Sequence, residues 1–202
     1  DEGLDLDDGR EISQGNRDAI CTKLEAAVRD NVRETLNIAS GGIEGLLNQD
    51  VHALRRLKSD AVKLFDKATE QRGEYYTMST TANAPKADRD ARNFYYRAYS
   101  SMKEVSHALR DQLGISENYV ANSHSPFTGK MQENIEKLAK DMRAVGENFV
   151  PANCARILGV IEQVQREGME QIGEEQISLR KSELYLGYLL FAREVLNRYL
   201  MV

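Results

Sequence analysis

The sequence predicts an all-α fold, a bundle of about six long antiparallel helices. Apolar residues recur three and four positions apart along nearly the whole chain, which is the spacing that lines one face of an α-helix. Charged residues make up 29% of the 202 residues and only three are prolines, a composition that favours helices over sheets. The breaks between the periodic stretches are short, and short connections join neighbouring helices as antiparallel pairs.

The periodic stretches divide the chain into a lead-in and six helices. Residues 1–15 are acidic, contain three glycines and show little periodicity, so we expect a flexible lead-in. Helices are predicted at 17–48, 51–80, 88–122, 127–149, 152–175 and 176–202. Asp50 is placed to cap the second helix, and Pro126 and Pro151 end the third and the fourth. Residues 16–202 are therefore expected to form one bundle.

Two of these helices carry a further signal. Ser40-Gly41-Gly42 falls inside the first helix, where we expect a kink or a local break because glycine is a poor helix former. The apolar residues of the fourth helix alternate strictly by four and three, and they include Leu138 and Met142. The fourth helix is therefore expected to be a core element.

The third helix has an ionisable ridge opposite its apolar stripe. Glu104, His107 and Asp111 fall on one side of it, within roughly 60° of one another. Such a ridge is most often a solvated face. Glu104 and His107 also have the Glu-x-x-His spacing of di-iron bundles, but those sites need two copies and two further glutamates in the core. The sequence holds one copy that faces away from the apolar stripe, so an internal di-iron site is not expected.

The same stretch carries a family resemblance. The aromatic run Phe94-Tyr95-Tyr96 ahead of Lys103-Glu104-Val105, followed by the segment 117–127, resembles the PhoU-like helical domain. More narrowly, it resembles the version at the C-terminus of bacterial sodium/phosphate cotransporters. The resemblance runs from about Ile12 to the end of the chain. It implies two similar three-helix repeats, here about 16–122 and 123–202.

A shift of 90 residues supports that repeat. It superimposes a tyrosine, a basic residue, a glutamate and a valine of the third helix on counterparts in the sixth. The pairs are Tyr95 with Tyr185, Lys103 with Arg193, Glu104 with Glu194, and Val105 with Val195. Four matches in a short helical window could also arise by chance, and the family architecture is what favours repetition.

The resemblance also implies a metal site, and the sequence departs from it. PhoU-like proteins carry a Glu-x-x-x-Asp signature in the third and sixth helices, whose carboxylates bind iron or zinc. Glu104 and Glu194 match the glutamates, but Ala108 and Arg198 stand where the aspartates belong. Because alanine offers no ligand atom and arginine repels a cation, we expect no family cluster.

The residues that remain as candidate metal ligands are Glu104, His107 and Glu194. His107 stands one position before Ala108, and with Glu104 and Asp111 it could hold a single surface Zn²⁺ or Ni²⁺. The alternative is that both glutamates are ordinary surface carboxylates. No other cofactor is expected.

Other reactive side chains receive no catalytic role. His52 and His124 lack a serine or cysteine partner pattern. Cys21 and Cys154 both lie in apolar phase, which favours two buried free thiols in a reducing compartment over a disulfide. The basic residues from Arg55 to Lys63 could meet a phosphate or an acidic partner, although a salt bridge to a neighbouring helix is the commoner outcome.

Charge and hydropathy exclude two classes of partner. The formal net charge of −5 argues against a nucleic-acid binder. The longest nearly apolar run, 184–192, is nine residues and contains a glycine, far below the roughly 18 to 20 that cross a bilayer. We therefore expect a soluble piece of a longer protein that does not itself insert into a membrane.

The function that the resemblance implies is a non-enzymatic regulatory domain of a sodium/phosphate cotransporter. It would modulate phosphate uptake through protein contacts on the cytoplasmic side of the bacterial inner membrane. Its implied partner is the membrane domain of its own transporter or another protein, with a second copy of the chain as a further option. A stand-alone helical adaptor is the alternative, and a metal-dependent enzyme is a third.

Overall fold

The computed structural model describes residues 14–77, 86–125, 127–148, 150–175 and 179–200, and within them it is all-helical with no strand. The six helices are α1 Gln14–Leu47, α2 Val51–Thr77, α3 Lys86–Ala121, α4 Gly129–Glu147, α5 Pro151–Glu175 and α6 Leu179–Leu200. The predicted fold class is confirmed. Residues 1–13 of the predicted lead-in lie outside the described residues. Residues 14 and 15, which the prediction also placed in the lead-in, belong to α1.

The starts of α2 and α4 are set by a capping side chain and by backbone conformation, respectively. The backbone N–H of Ala53 donates to Oδ1 of Asp50 at 3.0 Å, which confirms the predicted cap of α2. The fourth helix begins at Gly129 rather than at 127, because Thr128 is extended and Gly129 has a φ of +58°. A positive φ is accessible to glycine at little cost and breaks the helical path there. Phe127 is nonetheless buried, ahead of the helix.

Of the kink or local break expected at Ser40-Gly41-Gly42, the local break is wrong, because α1 is continuous through these residues, and the kink stays a prediction. A Cβ on Gly42 would lie 2.6 Å from Cδ2 of Leu113 and 3.1 Å from the hydroxyl oxygen of Tyr188. Ser40 donates its hydroxyl to the Ala139 carbonyl at 2.7 Å. The small residues therefore let three other helices approach α1 closely.

The helices fall in chain order into two groups of three. Within the described residues α1, α2 and α3 contact one another, and so do α4, α5 and α6. The groups are closely packed together, because α1 contacts α4 more extensively than any two helices of the second group contact each other, and α3 also packs on α6. The order is compatible with two three-helix repeats, and the duplication itself stays a prediction.

One continuous apolar core joins both groups. Leu138 and Met142 of α4 are buried in it, which confirms that the fourth helix is a core element. Tyr185 and Tyr188 of α6 are fully buried, and their hydroxyls are satisfied by Asn134 and Ser116. Among the described helices, none has both the length and the hydropathy to cross a bilayer.

Candidate functional site

The contact between α3 and α6 is antiparallel and partly polar. As the numbering rises on α3 from Glu104 to Gln112, the partners on α6 fall from Arg198 to Leu184. Gln112 donates to the Leu184 carbonyl at 3.5 Å in the buried part of this interface. A Cβ on Gly187 would lie only 2.8 Å from the Gln112 amide oxygen. The glycine therefore allows the two helix backbones to approach at this point.

Arg198 joins the two predicted metal ligands on the surface of this interface. Its Nη1 lies 2.5 Å from Oε2 of Glu104 on α3, and its Nη2 lies 3.1 Å from Oε1 of Glu194 one turn earlier on α6. Burial on its own would lower the pKa of Arg198, but the two carboxylates outweigh it and the pKa lies above its ordinary value. The guanidinium thus stays charged and occupies the place where a cation shared by Glu104 and Glu194 would sit.

His107 is turned away from that pair. Its Nε2 lies 3.4 Å from Oδ2 of Asp111 and 3.1 Å from Nη2 of Arg110. Its ring meets Phe65 of α2 edge to face, with the ring centroids 5.9 Å apart. In the part of the chain that the structure describes, no three His, Cys, Asp or Glu side chains are grouped to hold a metal ion. A metal at Glu104, His107 and Glu194 stays a prediction.

A groove of about 700 Å³ runs along the outer side of the α3–α6 interface. We call it the arginine groove, and its walls are Phe94, Arg97, Ser101, Leu190, Arg193, Glu194, Asn197 and Arg198. Three guanidiniums face one carboxylate here, and that carboxylate is already paired with Arg198. Among the described residues Arg97 and Arg193 form no ion pair, and Arg97 donates its Nε–H to the Asn93 carbonyl at 3.4 Å, so both guanidiniums keep free Nη donors. Phe94 and Leu190 remain 39% and 48% exposed and add apolar surface.

A second groove lies on the other side of Glu104, between α2 and α3. We call it the histidine groove, and its volume is about 730 Å³. Its lining holds one lysine and two carboxylates, and Nζ of Lys103 sits over the Phe65 ring at 5.3 Å. The two grooves are similar in size, but only the arginine groove has an excess of positive charge.

Of the four basic residues from Arg55 to Lys63, Arg55 and Lys58 confirm the salt-bridge interpretation. Arg55 and Lys58 reach the same carboxylate of α3, with Nε of Arg55 2.9 Å and Nζ of Lys58 3.6 Å from the oxygens of Glu117. The hydrogen bond from Arg55 and the nearby positive charges lower the pKa of Glu117 despite some desolvation. This cluster therefore ties α2 to α3.

Two further sequence candidates, His124 and Cys154, have described surroundings. His124 stacks near Tyr119 and lies 2.8 Å from Nη1 of Arg180, so it fastens the loop before α4 to the start of α6. Cys154 is a buried free thiol, as predicted, and burial raises its pKa. The side chain of Cys21 lies outside the described residues.

The arginine groove was not found from the sequence, although a signal was present. Each wall has an exposed apolar residue followed three positions later by an arginine, Phe94 with Arg97 on α3 and Leu190 with Arg193 on α6. Residues three apart lie side by side on a helix, so each pair makes a mixed apolar and cationic patch. Chemically, the groove offers hydrogen-bond donors and apolar contact to an anionic ligand. Comparisons with protein-family models, curated proteins and solved structures find no match to this chain.

Proposed function

We propose that this chain is a PhoU-like regulatory domain of a sodium/phosphate cotransporter. It is non-enzymatic and modulates phosphate uptake through protein contacts on the cytoplasmic side of the bacterial inner membrane. The resemblance of the segment around Lys103-Glu104-Val105 supports the family, and the two groups of three helices are the architecture that this family would have. The observation that carries the contact role is the arginine groove.

The groove suits a partner segment that is acidic and carries apolar side chains. Arg97 and Arg193 can each form paired hydrogen bonds to a carboxylate, a geometry that lysine cannot reproduce. Phe94 and the arginines are of residue types enriched at protein interfaces, and Leu190 adds apolar contact area. The packing of α3 on α6 fixes the two walls, and the exposed ion pair between Arg198 and Glu104 adds to it, so a partner meets a preformed surface.

The membrane domain of the same transporter is the partner that this proposal names. A second copy of the chain would be a homo-oligomeric alternative, and another protein would be the partner of a stand-alone adaptor. The full-length gene product separates transporter from adaptor. Eight or more apolar spans ahead of Asp1 support the transporter, and a gene product without spans supports the adaptor.

The test is sodium-driven phosphate uptake by the full-length protein in cells that lack other phosphate transporters. The double variant Arg97→Glu/Arg193→Glu reverses the groove charge at two exposed positions that make no ion pair among the described residues. The matched control is Arg156→Glu/Arg166→Glu on α5, which changes net charge equally at exposed positions outside the groove.

We expect the groove variant to change the uptake rate severalfold at equal membrane abundance, and the control to leave it unaltered. Equal uptake by both variants and the parent would contradict the proposed contact role. Abundance is checked by immunoblot, because a loss of protein would imitate a loss of regulation.

A further inference from the structure

Both walls of the arginine groove carry the same pattern, an apolar residue, an arginine three positions later and a neutral polar residue four positions after that. The two stripes are Phe94, Arg97 and Ser101 on α3 and Leu190, Arg193 and Asn197 on α6. Residues with this spacing lie on one face of a helix. Because α3 and α6 are antiparallel, the stripes run in opposite directions. The groove is therefore nearly palindromic, with an apolar and cationic patch at each end and neutral polar groups between them.

The close approach of Gly187 to Gln112 fixes the register and hence the length of the groove. Phe94 precedes Gln112 by 18 residues on α3, and Leu190 follows Gly187 by three residues on α6. In the antiparallel register the two apolar residues are therefore fifteen residues apart along the helix axis. At a rise of 1.5 Å per residue, their backbones are about 22 Å apart.

The two free arginines belong to opposite ends of the groove. By the same count, the backbones of Arg97 and Arg193 are about 14 Å apart. The Nε–H of Arg97 donates to the Asn93 carbonyl at 3.4 Å, one turn back on α3, so this guanidinium is directed away from the centre. In the centre, the carboxylate of Glu194 is neutralised by Arg198, whose Nη2 is 3.1 Å away. A ligand therefore meets one positive site at each end and no excess charge between them.

The dimensions of the groove favour an extended chain over a helix as its occupant. A volume of about 700 Å³ spread over about 22 Å gives a cross-section of about 30 Å². An α-helix with its side chains is about 10 Å wide, a cross-section of about 80 Å², so it would lie across the rims. An extended chain rises about 3.3 Å per residue and spans the groove in about seven residues. A second copy apposed groove to groove is disfavoured, because its arginines would face those of the first.

We propose that the arginine groove is a two-ended site for an extended acidic segment. Each end of the segment carries an apolar side chain beside a carboxylate. One pair packs on Phe94 and binds Arg97, and the other packs on Leu190 and binds Arg193. About four neutral residues separate the two carboxylates. The inference rests on the proposed function for the acidic character of the partner, and it adds the partner's conformation, length and charge pattern.

The test is the affinity of the purified chain for two synthetic peptides, measured by fluorescence anisotropy at low salt, where exposed charges are least screened. The two-ended peptide is Leu-Glu, about four neutral residues and Glu-Leu, which places the leucines about 23 Å apart when extended. The matched control has the same composition, with both Leu-Glu pairs clustered at one end. We expect the two-ended peptide to bind about tenfold more tightly, because its second end binds at a high effective concentration. Equal affinities, tighter binding of the control, or no binding of the two-ended peptide would each overturn the proposal.

Single variants of the protein locate the two ends. Arg97→Gln and Arg193→Gln should each lower the affinity for the two-ended peptide severalfold, and Arg156→Gln/Arg166→Gln on α5 should leave it unchanged. A loss in only one of the groove variants, or an equal loss in the α5 control, would overturn the proposal. Circular dichroism checks folding, and the peptide comparison on the parent chain decides the matter if a variant fails to fold.

Peptide binding and phosphate uptake are separate measurements, so the two proposals fail separately. Two-ended binding together with uptake that ignores Arg97→Glu/Arg193→Glu would overturn the proposed contact role alone. Uptake that responds to this variant without two-ended binding would overturn the present inference alone.

Discussion

The hydroxyl oxygens of Ser116 and Tyr188 lie 2.6 Å apart in the buried interface between α3 and α6. Burial raises the pKa of Tyr188, so the phenol stays neutral and available as a donor or acceptor. Ser116 also donates to the Gln112 carbonyl at 2.9 Å, one turn earlier on its own helix. The two hydroxyls are thus unequal, because Ser116 has a second partner.

Removing either hydroxyl should reveal that inequality. Ser116→Ala leaves the buried phenol short of a partner and should cost about 1 to 3 kcal/mol, whereas Tyr188→Phe leaves Ser116 bonded to Gln112 and should cost about 0.5 to 1.5 kcal/mol. Urea unfolding of both single variants and the double variant measures these free energies. Equal costs without coupling in the cycle would contradict a direct bond.

The glycines of the chain allow a matched comparison. Gly42→Ala places a methyl group 2.6 Å from Leu113, so the core must shift and we expect a loss of about 1 to 3 kcal/mol. Gly159→Ala on α5 meets nothing within 4 Å and should gain about 0.5 to 1 kcal/mol through helix propensity. Thermal unfolding of the two variants compares them, and stabilisation by both would mean that the close approach at Gly42 is absent.

Acid should weaken the α2–α3 ion cluster. The pKa of Glu117 is lowered in the folded state, so its contribution is present above its ordinary value of about 4.5 and is lost as the pH falls through the lower folded value. Glu117→Gln should therefore flatten the stability profile between about pH 5 and pH 3, by less than about 1 kcal/mol because the pair is near the surface. The exposed Glu162→Gln is the control. A parallel profile for the parent and Glu117→Gln would contradict the assignment.

Metal content tests the Arg198 bridge. Because a fixed charge joins Glu104 to Glu194, protein purified without an affinity tag should carry less than about one equivalent of iron or zinc, and chelation should leave its melting temperature nearly unchanged. Elemental analysis and thermal scans measure both quantities. Two or more tightly held metal ions per chain, lost in Glu104→Ala or Glu194→Ala, would contradict this prediction. They would show that metal ions displace the Arg198 guanidinium from the two glutamates.

Local sequence signals predicted where the helices lie. They could not predict the features that depend on packing between helices. The three-and-four spacing predicted all six helices, and Asp50 marked the start of α2. The local break expected at the glycine pair of α1 is absent. Helix propensity describes an isolated helix, whereas in the bundle Leu113 and Tyr188 pack so closely on Gly42 that a residue without a side chain is favoured there.

The candidate site likewise combines features that are visible in the sequence with contacts that only the folded structure creates. The departure at Arg198 was visible in the sequence, but its bond to Glu104 depends on the antiparallel register of α3 and α6. Arg97 and Arg193 lie far apart in the chain and on separate helices, so only that register makes them neighbours of one groove. No spacing rule along a single helix could have joined them.

Tyr188 belongs to the second group of helices, yet its hydroxyl end lies beside Gly42 and Ser116 of the first. Pulling the groups apart would strip this ring from its site and leave an aromatic-sized hole between α1 and α3. Losing an aromatic side chain from a core typically costs about 3 to 5 kcal/mol, so separation of the two groups is unfavourable. We therefore expect the bundle to unfold in one cooperative transition rather than as two halves.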